Sequence, residues 1–219
     1  MSKSYVFWTG MLSVSLFIFT TILAGFFYPD YSHNRQFISE LYAVDAPNAN
    51  VIRFLGYFPS GILFIIFSLL ARKKTPKSRL SAIGFLGIEL GYGFGTIICV
   101  LFNCDAGCNP KFINPSLSQI IHNLMGLITY MVVPFSILLI AIASLKWKNS
   151  LKYTFASGLV FLVSFLFVNI LFLNLDSPYG GLFQRIIEGS FLFWIAYGAY
   201  HFSNKILSTK RKSKLVIRN

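Results

Sequence analysis

Polar side chains able to do chemistry are concentrated in one short stretch of this chain, YSHNRQFISELYA, at residues 31–43. Within it, His33 supplies an imidazole, Ser39 a hydroxyl and Glu40 a carboxylate. Most of the remaining sequence is aliphatic or aromatic, so such a cluster is informative about function. Further candidates follow at wide spacing: Arg53, Asp105, His122, Arg185 and Glu188.

These residue types are those of a hydrolytic site that acts on a lipid. Glu40 or Asp105 can serve as the general base, with His122 as its acid or base partner. Arg185 can bind a phosphate or a developing oxyanion, and Ser39 becomes a nucleophile if His122 lies within hydrogen-bond reach. The structural alternative stays open: charges at the end of a membrane bundle commonly face water and headgroups, and a lone histidine commonly belongs to the core.

The sequence lacks the motifs of the familiar cofactor and metal enzymes. It contains no Gly-rich phosphate loop, no GxSxG and no HExxH. At most two histidines, His33 and His122, can share one end of the molecule, because His201 falls at the opposite end of the last apolar run. A zinc site would therefore need carboxylates to complete it. We predict no metal and no cofactor.

Composition indicates that membrane helices position these residues. Hydrophobic residues make up 55% of the chain and charged residues only 12%, and the mean hydropathy is +0.66. Apolar runs of about 20 residues are the length that an α-helix needs to cross a bilayer. The predicted fold is an all-α polytopic membrane protein with a bundle of six transmembrane helices, at about 5–27, 51–71, 80–103, 119–145, 151–173 and 182–203.

The distribution of positive charge predicts how the bundle is oriented. Fifteen of the 19 Lys and Arg residues lie at the termini and in the loops around residues 71–79 and 146–152. By the positive-inside rule, both termini are cytoplasmic. Residues 28–50 and the loop containing Cys104 and Cys108 then lie on the periplasmic or extracellular side of the cell membrane. The basic tail, 205–219, is predicted to contact anionic lipid, and nucleic-acid binding is not expected.

Two cysteines lie four residues apart in the segment NCDAGCNP. In an oxidising compartment Cys104 and Cys108 can form a local disulfide. A redox relay is the alternative, but it would need a second cysteine pair, which the sequence lacks. Cys99 is expected to be a small buried hydrophobe in the third apolar run. We therefore predict a structural disulfide.

Charge is costly inside the apolar runs, where Glu89, Arg185 and Glu188 lie away from the ends. Arg185 and Glu188 are three residues apart and therefore share a helix face, where they can form an ion pair or line a pocket. Glu89 lies in the glycine-rich segment GIELGYGFG. Those glycines are typical of closely packed helices, and the alternative is a distorted helix along a permeation path.

The order of the polar segments resembles a known family. ISELYAVDAP follows the first apolar run, CDAG follows the third, and GLFQRIIEGSFLFWIAYGAY forms the sixth. Over residues 5–203 this pattern resembles the bacterial and archaeal six-helix membrane family catalogued as domain of unknown function 998. The ISELYA loop is more distantly similar to the Frag1/DRAM/Sfk1 membrane proteins, which are associated with lipid handling. The resemblance implies no reaction, but it implies one shared outer site formed by Ser39, Glu40, Asp105, His122 and Arg185.

Three functions are consistent with the sequence. The first is a protein that binds a lipid or small amphipathic ligand in an outward-facing polar pocket, with membrane lipids as its partners. The second is an outer-face lipid-modifying enzyme, and the third is a small-molecule or ion transporter that uses Glu89. We favour the first, because no catalytic motif is complete. Its predicted ligand-binding residues are His33, Ser39, Arg53, Arg185 and Glu188.

Overall fold

The computed structural model describes residues 3–203, with side chains from residue 5 onward, and this part of the chain contains helices but no strand. The predicted basic tail, 205–219, lies outside the described residues. The all-α class is confirmed, and each predicted span coincides with a long helix to within a few residues. The six helices are α1 Lys3–Phe27, α2 Ala49–Arg72, α3 Arg79–Leu101, α4 Leu117–Ser144, α5 Leu151–Leu173 and α6 Gly180–Ser203.

The six helices pack as a closed ring in chain order. Each helix packs against the next along the chain, and α6 closes the ring by packing against α1. Large aromatic side chains fill the centre, where they touch edge to face or at a tilt, as aromatic pairs prefer. Those at the middle of the core include Tyr57, Phe64, Phe67, Tyr92, Phe191 and Trp194.

The surface of the ring is apolar, as expected for helices surrounded by lipid. Phe26 and Leu173 are each 82% exposed, and many other large hydrophobic side chains face outward. Helices α1 to α5 are long and apolar enough to cross a membrane. Helix α6 has 24 residues but is less apolar, because Arg185 and Glu188 lie in its first half. The protein is a six-helix membrane bundle.

Two helices contain a π-helical segment in the half that carries the candidate site. These segments are Ile52–Tyr57 in α2 and Ile88–Phe94 in α3. A π turn holds an extra residue, so it shifts the face on which all later side chains lie, and such segments are frequent at functional sites. In α3 the π segment directs Tyr92 toward the centre of the ring, where it is almost fully buried.

The α1–α2 loop, residues 28–48, folds back over the end of the bundle. Its only regular element among the described residues is a 3₁₀ helix, Ile38–Tyr42. The apolar residues of this short helix are buried against the bundle. The loop also caps α6: the N–H groups of Gly181 and Leu182 donate to the carbonyls of Arg35 and Asn34. These bonds satisfy donors that a helix N-terminus leaves free.

Glycine allows α3 and α4 to touch through their backbones. A Cβ atom added to Gly84 would lie 2.8 Å from the carbonyl oxygen of Ser136 and 2.6 Å from a side-chain carbon of Ile140. Backbone cannot move aside as a flexible side chain can, so residue 84 must lack a side chain. This supports the reading of the glycines in this region as close-packing residues.

We predict that Gly84→Ala lowers the free energy of unfolding by about 1–3 kcal/mol, the usual cost of overpacking. The cost outweighs the gain in helix propensity of about 1 kcal/mol. The matched control is Gly158→Ala in α5, where an added Cβ meets nothing within 4 Å. Unfolding in mixed micelles measures both. Equal shifts in the two variants would contradict the close contact.

Candidate functional site

A polar cavity of about 100 Å³ lies inside the ring, directly beneath the 3₁₀ helix of the α1–α2 loop. A buried water needs about 10–15 Å³ of such space, so several waters or one small polar group fit. Ile38, Ser39 and Tyr42 form its cover, so the loop closes the cavity. Its polar walls come from α3, α4 and α6: Tyr92, Cys99, His122, Thr129, Tyr130 and Glu188.

Glu188 is the only acidic residue that lines this cavity. Its carboxylate accepts a hydrogen bond from the Tyr92 hydroxyl at 2.9 Å and another from the Tyr130 hydroxyl at 3.0 Å, one on each oxygen. The residue is 9% exposed. A hydroxyl donor on each oxygen stabilises the ionised form of a carboxylate, and bonds to that form are stronger than those between neutral groups.

Glu188 and Arg185 do not form the ion pair that their spacing allows. In the described part of the chain no salt bridge joins them, because the carboxylate is turned inward to the tyrosines. Arg185 is turned toward the α1–α2 loop instead: its Nη1 donates to the carbonyls of Gln36 at 2.7 Å and Gly181 at 3.0 Å. The two opposite charges therefore face different surroundings.

Arg185 has no acidic partner among the described residues. Besides its two carbonyl contacts it donates to the hydroxyl of Tyr31 and lies over that ring, with Cζ 5.5 Å from the ring centroid. Burial raises the pKa of Tyr31 to about 12, although the charge of Arg185 opposes the rise. The hydroxyl thus stays protonated and neutral, and the guanidinium keeps a net positive charge.

His122 lines the cavity, and only one of its two ring nitrogens has hydrogen-bond partners among the described residues. It is 7% exposed, and its Nδ1 lies 2.9 Å from the carbonyl oxygen of Phe102 and 3.2 Å from that of Cys99. Two acceptors around Nδ1 place the hydrogen there and leave a lone pair on Nε2. No described residue forms a hydrogen bond with Nε2, and the same holds for the neighbouring hydroxyl of Tyr42.

An apolar groove of about 510 Å³ runs along the outside of the ring between α1 and α6. Its polar end is formed by His33, Arg185 and Glu188. Partial burial and the charge of Arg185 both lower the pKa of His33, so this imidazole is mainly neutral at pH 7. Phe17, Ile38 and Glu188 line both the groove and the cavity. The apolar walls are Val14, Phe17, Ile18, Ile22, Leu192, Phe193 and Ala196.

Three of the predicted site residues lie elsewhere: Glu40 and Asp105 form hydrogen bonds within their own loops, and Arg53 joins α2 to the end of α3. Glu40 accepts the Phe37 N–H at 2.7 Å and the Gln36 amide at 3.0 Å. Partial burial raises its pKa, and these two hydrogen bonds oppose the rise. Asp105 accepts the Ser116 N–H at 3.0 Å, which with the Ser116 hydroxyl lowers its pKa. Arg53 donates to the carbonyls at the end of α3 and to Asn50.

The predicted sites therefore separate into groups. Ser39 and His122 line the cavity, His33 and Arg185 line the groove, and Glu188 lines both. No hydrogen bond or ion pair joins any two of Glu40, Asp105, His122 and Arg185 within the described residues, so these four do not form one constellation. Their catalytic and binding roles stay predictions.

Cys104 and Cys108 form the predicted disulfide, with Cα atoms 4.8 Å apart. It fixes the α3–α4 loop beside the cover of the cavity, where the sulfur of Cys108 lies 3.3 Å from the Ser39 hydroxyl. Gln119 at the start of α4 holds the same loop, because its side chain accepts the Asp105 N–H at 2.7 Å and donates to the Cys108 carbonyl. The disulfide is therefore part of the structure around the cavity.

The sequence did not single out the tyrosines of the cavity. Tyr92 and Tyr130 stand in apolar segments, where a tyrosine used for its ring and one used for its hydroxyl look the same. Tyr42 lies close to Ser39 and Glu40, which are the more obvious reactive side chains. The side chain of Gln184 accepts the Ile38 N–H at 2.6 Å. The sequence did not single out this residue, because the charged residues Arg185 and Glu188 beside it gave the stronger signal.

We predict that Tyr130→Phe destabilises the protein by about 1.5–3 kcal/mol, because it removes one donor from a buried carboxylate. In a Glu188→Gln background the same change should cost clearly less, so a double-mutant cycle should give a positive coupling energy. Tyr197→Phe on α6 is the control, because its hydroxyl has no hydrogen bond to any described residue. A coupling energy near zero would contradict the Glu188–Tyr130 interaction.

We also predict that reducing agent lowers the thermal midpoint of the oxidised protein. Opening the Cys104–Cys108 disulfide should cost about 2 kcal/mol, since the closed loop is short. The variant with serine at both positions should have a lower midpoint and no response to reductant, whereas Cys99→Ala should respond like the parent. A parent protein that is insensitive to complete reduction would argue against this role.

Comparison with known proteins identifies the family but supplies no function. The family model described as "Protein of unknown function (DUF998)" matches residues 11–201, which is most of the chain. No curated protein and no solved structure matches the chain significantly. The matched region contains the Cys104–Cys108 loop, the polar residues of α6 and all of the six-helix bundle except the start of α1 and the last two residues of α6. The chain therefore belongs to the DUF998 family of proteins of unknown function.

Proposed function

We propose that this protein binds a membrane lipid or a similar amphipathic molecule in the groove between α1 and α6. The observation that carries the proposal is the division of this groove into a long apolar wall and one polar end with an arginine. An acyl chain would lie along Phe17, Ile18 and Leu192, and the polar group would lie at Arg185.

The size and position of the groove support a lipid ligand. Its volume of about 510 Å³ lies within the range of roughly 300–1,000 Å³ that is typical of small-molecule sites. Ile22 is 61% exposed and Phe193 is 55% exposed, so the groove is open along the side that faces the membrane. A ligand can therefore enter sideways from the bilayer. Apolar molecules in the bilayer are already desolvated, so specificity must come from the polar end.

The charge of Arg185 favours an anionic group at that end. Its guanidinium has no acidic partner among the described residues, and Tyr31 and two carbonyls use three of its five N–H donors. The remaining donors are available for a phosphate or carboxylate, which are the preferred partners of arginine. By the orientation predicted from the positive-inside rule, this site lies in the periplasmic or extracellular leaflet of the cell membrane.

A lipid-modifying enzyme is the second candidate, because Ser39 and His122 line the same cavity. It would use these two residues, since the carboxylates of Glu40 and Asp105 already accept bonds from their own loops. The transporter alternative gains no comparable support. Glu89 is buried and accepts a weak hydrogen bond from Ser68 at 3.4 Å, but it lines neither the cavity nor the groove.

We predict that Gly189→Leu removes bound lipid from the purified protein. Gly189 lines the groove, and a Cβ atom there meets nothing within 4 Å. The leucine side chain therefore occupies the groove without disturbing the helix backbone. Lipids that remain after extensive washing in detergent should be measured by mass spectrometry, in moles per mole of protein.

The matched control for this variant is Gly158→Leu. Gly158 is also a helical glycine with open space around its Cβ, but it lies on α5 and not along the groove. We expect it to retain the lipid of the parent protein, with both variants folding normally. Equal lipid content in all three proteins, or none in the parent, would overturn the proposed function.

A further inference from the structure

The ligand's headgroup can be specified further from the charges at the end of the groove, and this inference rests on the proposed function. We infer that the headgroup is zwitterionic, with its anionic part at Arg185 and a primary ammonium group in the Glu188 cavity. A phosphoethanolamine head, as in phosphatidylethanolamine, has this chemistry.

The first argument is the placement of two opposite charges that do not neutralise each other. Arg185 and Glu188 are one helical turn apart, a separation of about 5–6 Å between Cβ atoms. Yet they form no ion pair, because Arg185 contacts the α1–α2 loop and Glu188 contacts Tyr92 and Tyr130. An anion alone would leave Glu188 without a counter-charge, and a cation alone would leave Arg185 with only the nearby carboxylate of Glu40, with which it forms no salt bridge. A short zwitterion satisfies both.

The second argument is the set of hydrogen-bonding atoms that the cavity leaves unused. Each oxygen of Glu188 accepts one tyrosine hydroxyl and keeps a lone pair. His122 is more than nine-tenths buried, and its Nε2 is an acceptor without a partner among the described residues. The free positions are thus mainly acceptors, and the group that complements them must be a donor. A primary ammonium carries three N–H donors and a positive charge.

The third argument is the route between the two sites. Glu188 lines both the groove and the cavity, together with Phe17 and Ile38. The groove and the cavity therefore adjoin at Glu188, and the proposed binding mode requires the terminal amine to reach the cavity past this side chain while the acyl chain stays in the groove. A trimethylammonium group is larger and has no N–H donor, so a choline head would gain the charge interaction without the hydrogen bonds. The site should consequently distinguish ethanolamine from choline.

The test is a lipid titration with the delipidated full-length protein in detergent. The probes are phosphatidylethanolamine, phosphatidylcholine and phosphatidylglycerol with identical acyl chains, and the readout is the lipid concentration that half-saturates the rise in thermal midpoint. We expect phosphatidylethanolamine to bind at least about tenfold more tightly than phosphatidylcholine. Such a difference corresponds to the hydrogen bonds to charged groups that choline cannot form.

Two variants separate this inference from the proposed function. Glu188→Gln removes the charge, and Gly126→Val fills the cavity at a position where an added Cβ meets nothing within 4 Å. In both variants the ratio of the affinity for phosphatidylethanolamine to the affinity for phosphatidylcholine should fall to about one. Glu89→Gln, a buried carboxylate outside the cavity, should keep the preference.

The outcomes are distinguishable. Equal binding of ethanolamine and choline lipids by the parent protein would overturn the ammonium site and leave the groove intact. Phosphatidylglycerol binding as tightly as phosphatidylethanolamine would show that only the anionic group is recognised, which also overturns the inference. Absence of binding by all three lipids would overturn the proposed function itself.

Discussion

The buried carboxylate of Glu188 is the constraint on which the arrangement of this bundle depends. A charge inside a membrane protein is costly unless donors surround it. Here Tyr92 and Tyr130 supply these donors from two other helices, so satisfying one carboxylate ties α3, α4 and α6 together. The π segment of α3 is the local distortion that brings Tyr92 to the required face. The same three helices also supply the polar walls of the cavity. In a purely apolar core, hydrophobic side chains would occupy this space.

The α1–α2 loop completes the site and connects it to the membrane surface. The loop caps α6 through its own carbonyls and accepts bonds from Arg185 through the Gln36 carbonyl. Its 3₁₀ helix covers the cavity, and the Cys104–Cys108 disulfide fixes the adjacent loop against Ser39. Glu188 thus lies below the loop on the side of the cavity and at the polar end of the groove between α1 and α6.

The sequence predicted the helices well because bilayer thickness dictates the length of an apolar run: the fifth span, 151–173, coincides with Leu151–Leu173. It predicted the site less completely. Glu40 and Asp105 looked like catalytic carboxylates, but backbone N–H groups of their own loops bind them, and residue spacing alone does not reveal such turns. The roles of Tyr92 and Tyr130 depend on a π segment and on helix packing, neither of which an apolar sequence pattern encodes.

The most direct test of lipid binding in the groove is photo-crosslinking with phosphatidylethanolamine that carries a diazirine in its acyl chain, in a bilayer containing the parent protein. The account predicts that adducts concentrate on groove residues, above all Ile18, Ile22 and Phe193. Leu159 and Leu162 of α5 are the reference, because they are 51% and 61% exposed but lie outside the groove. Adducts distributed over all lipid-facing helices in proportion to their exposure would contradict the account.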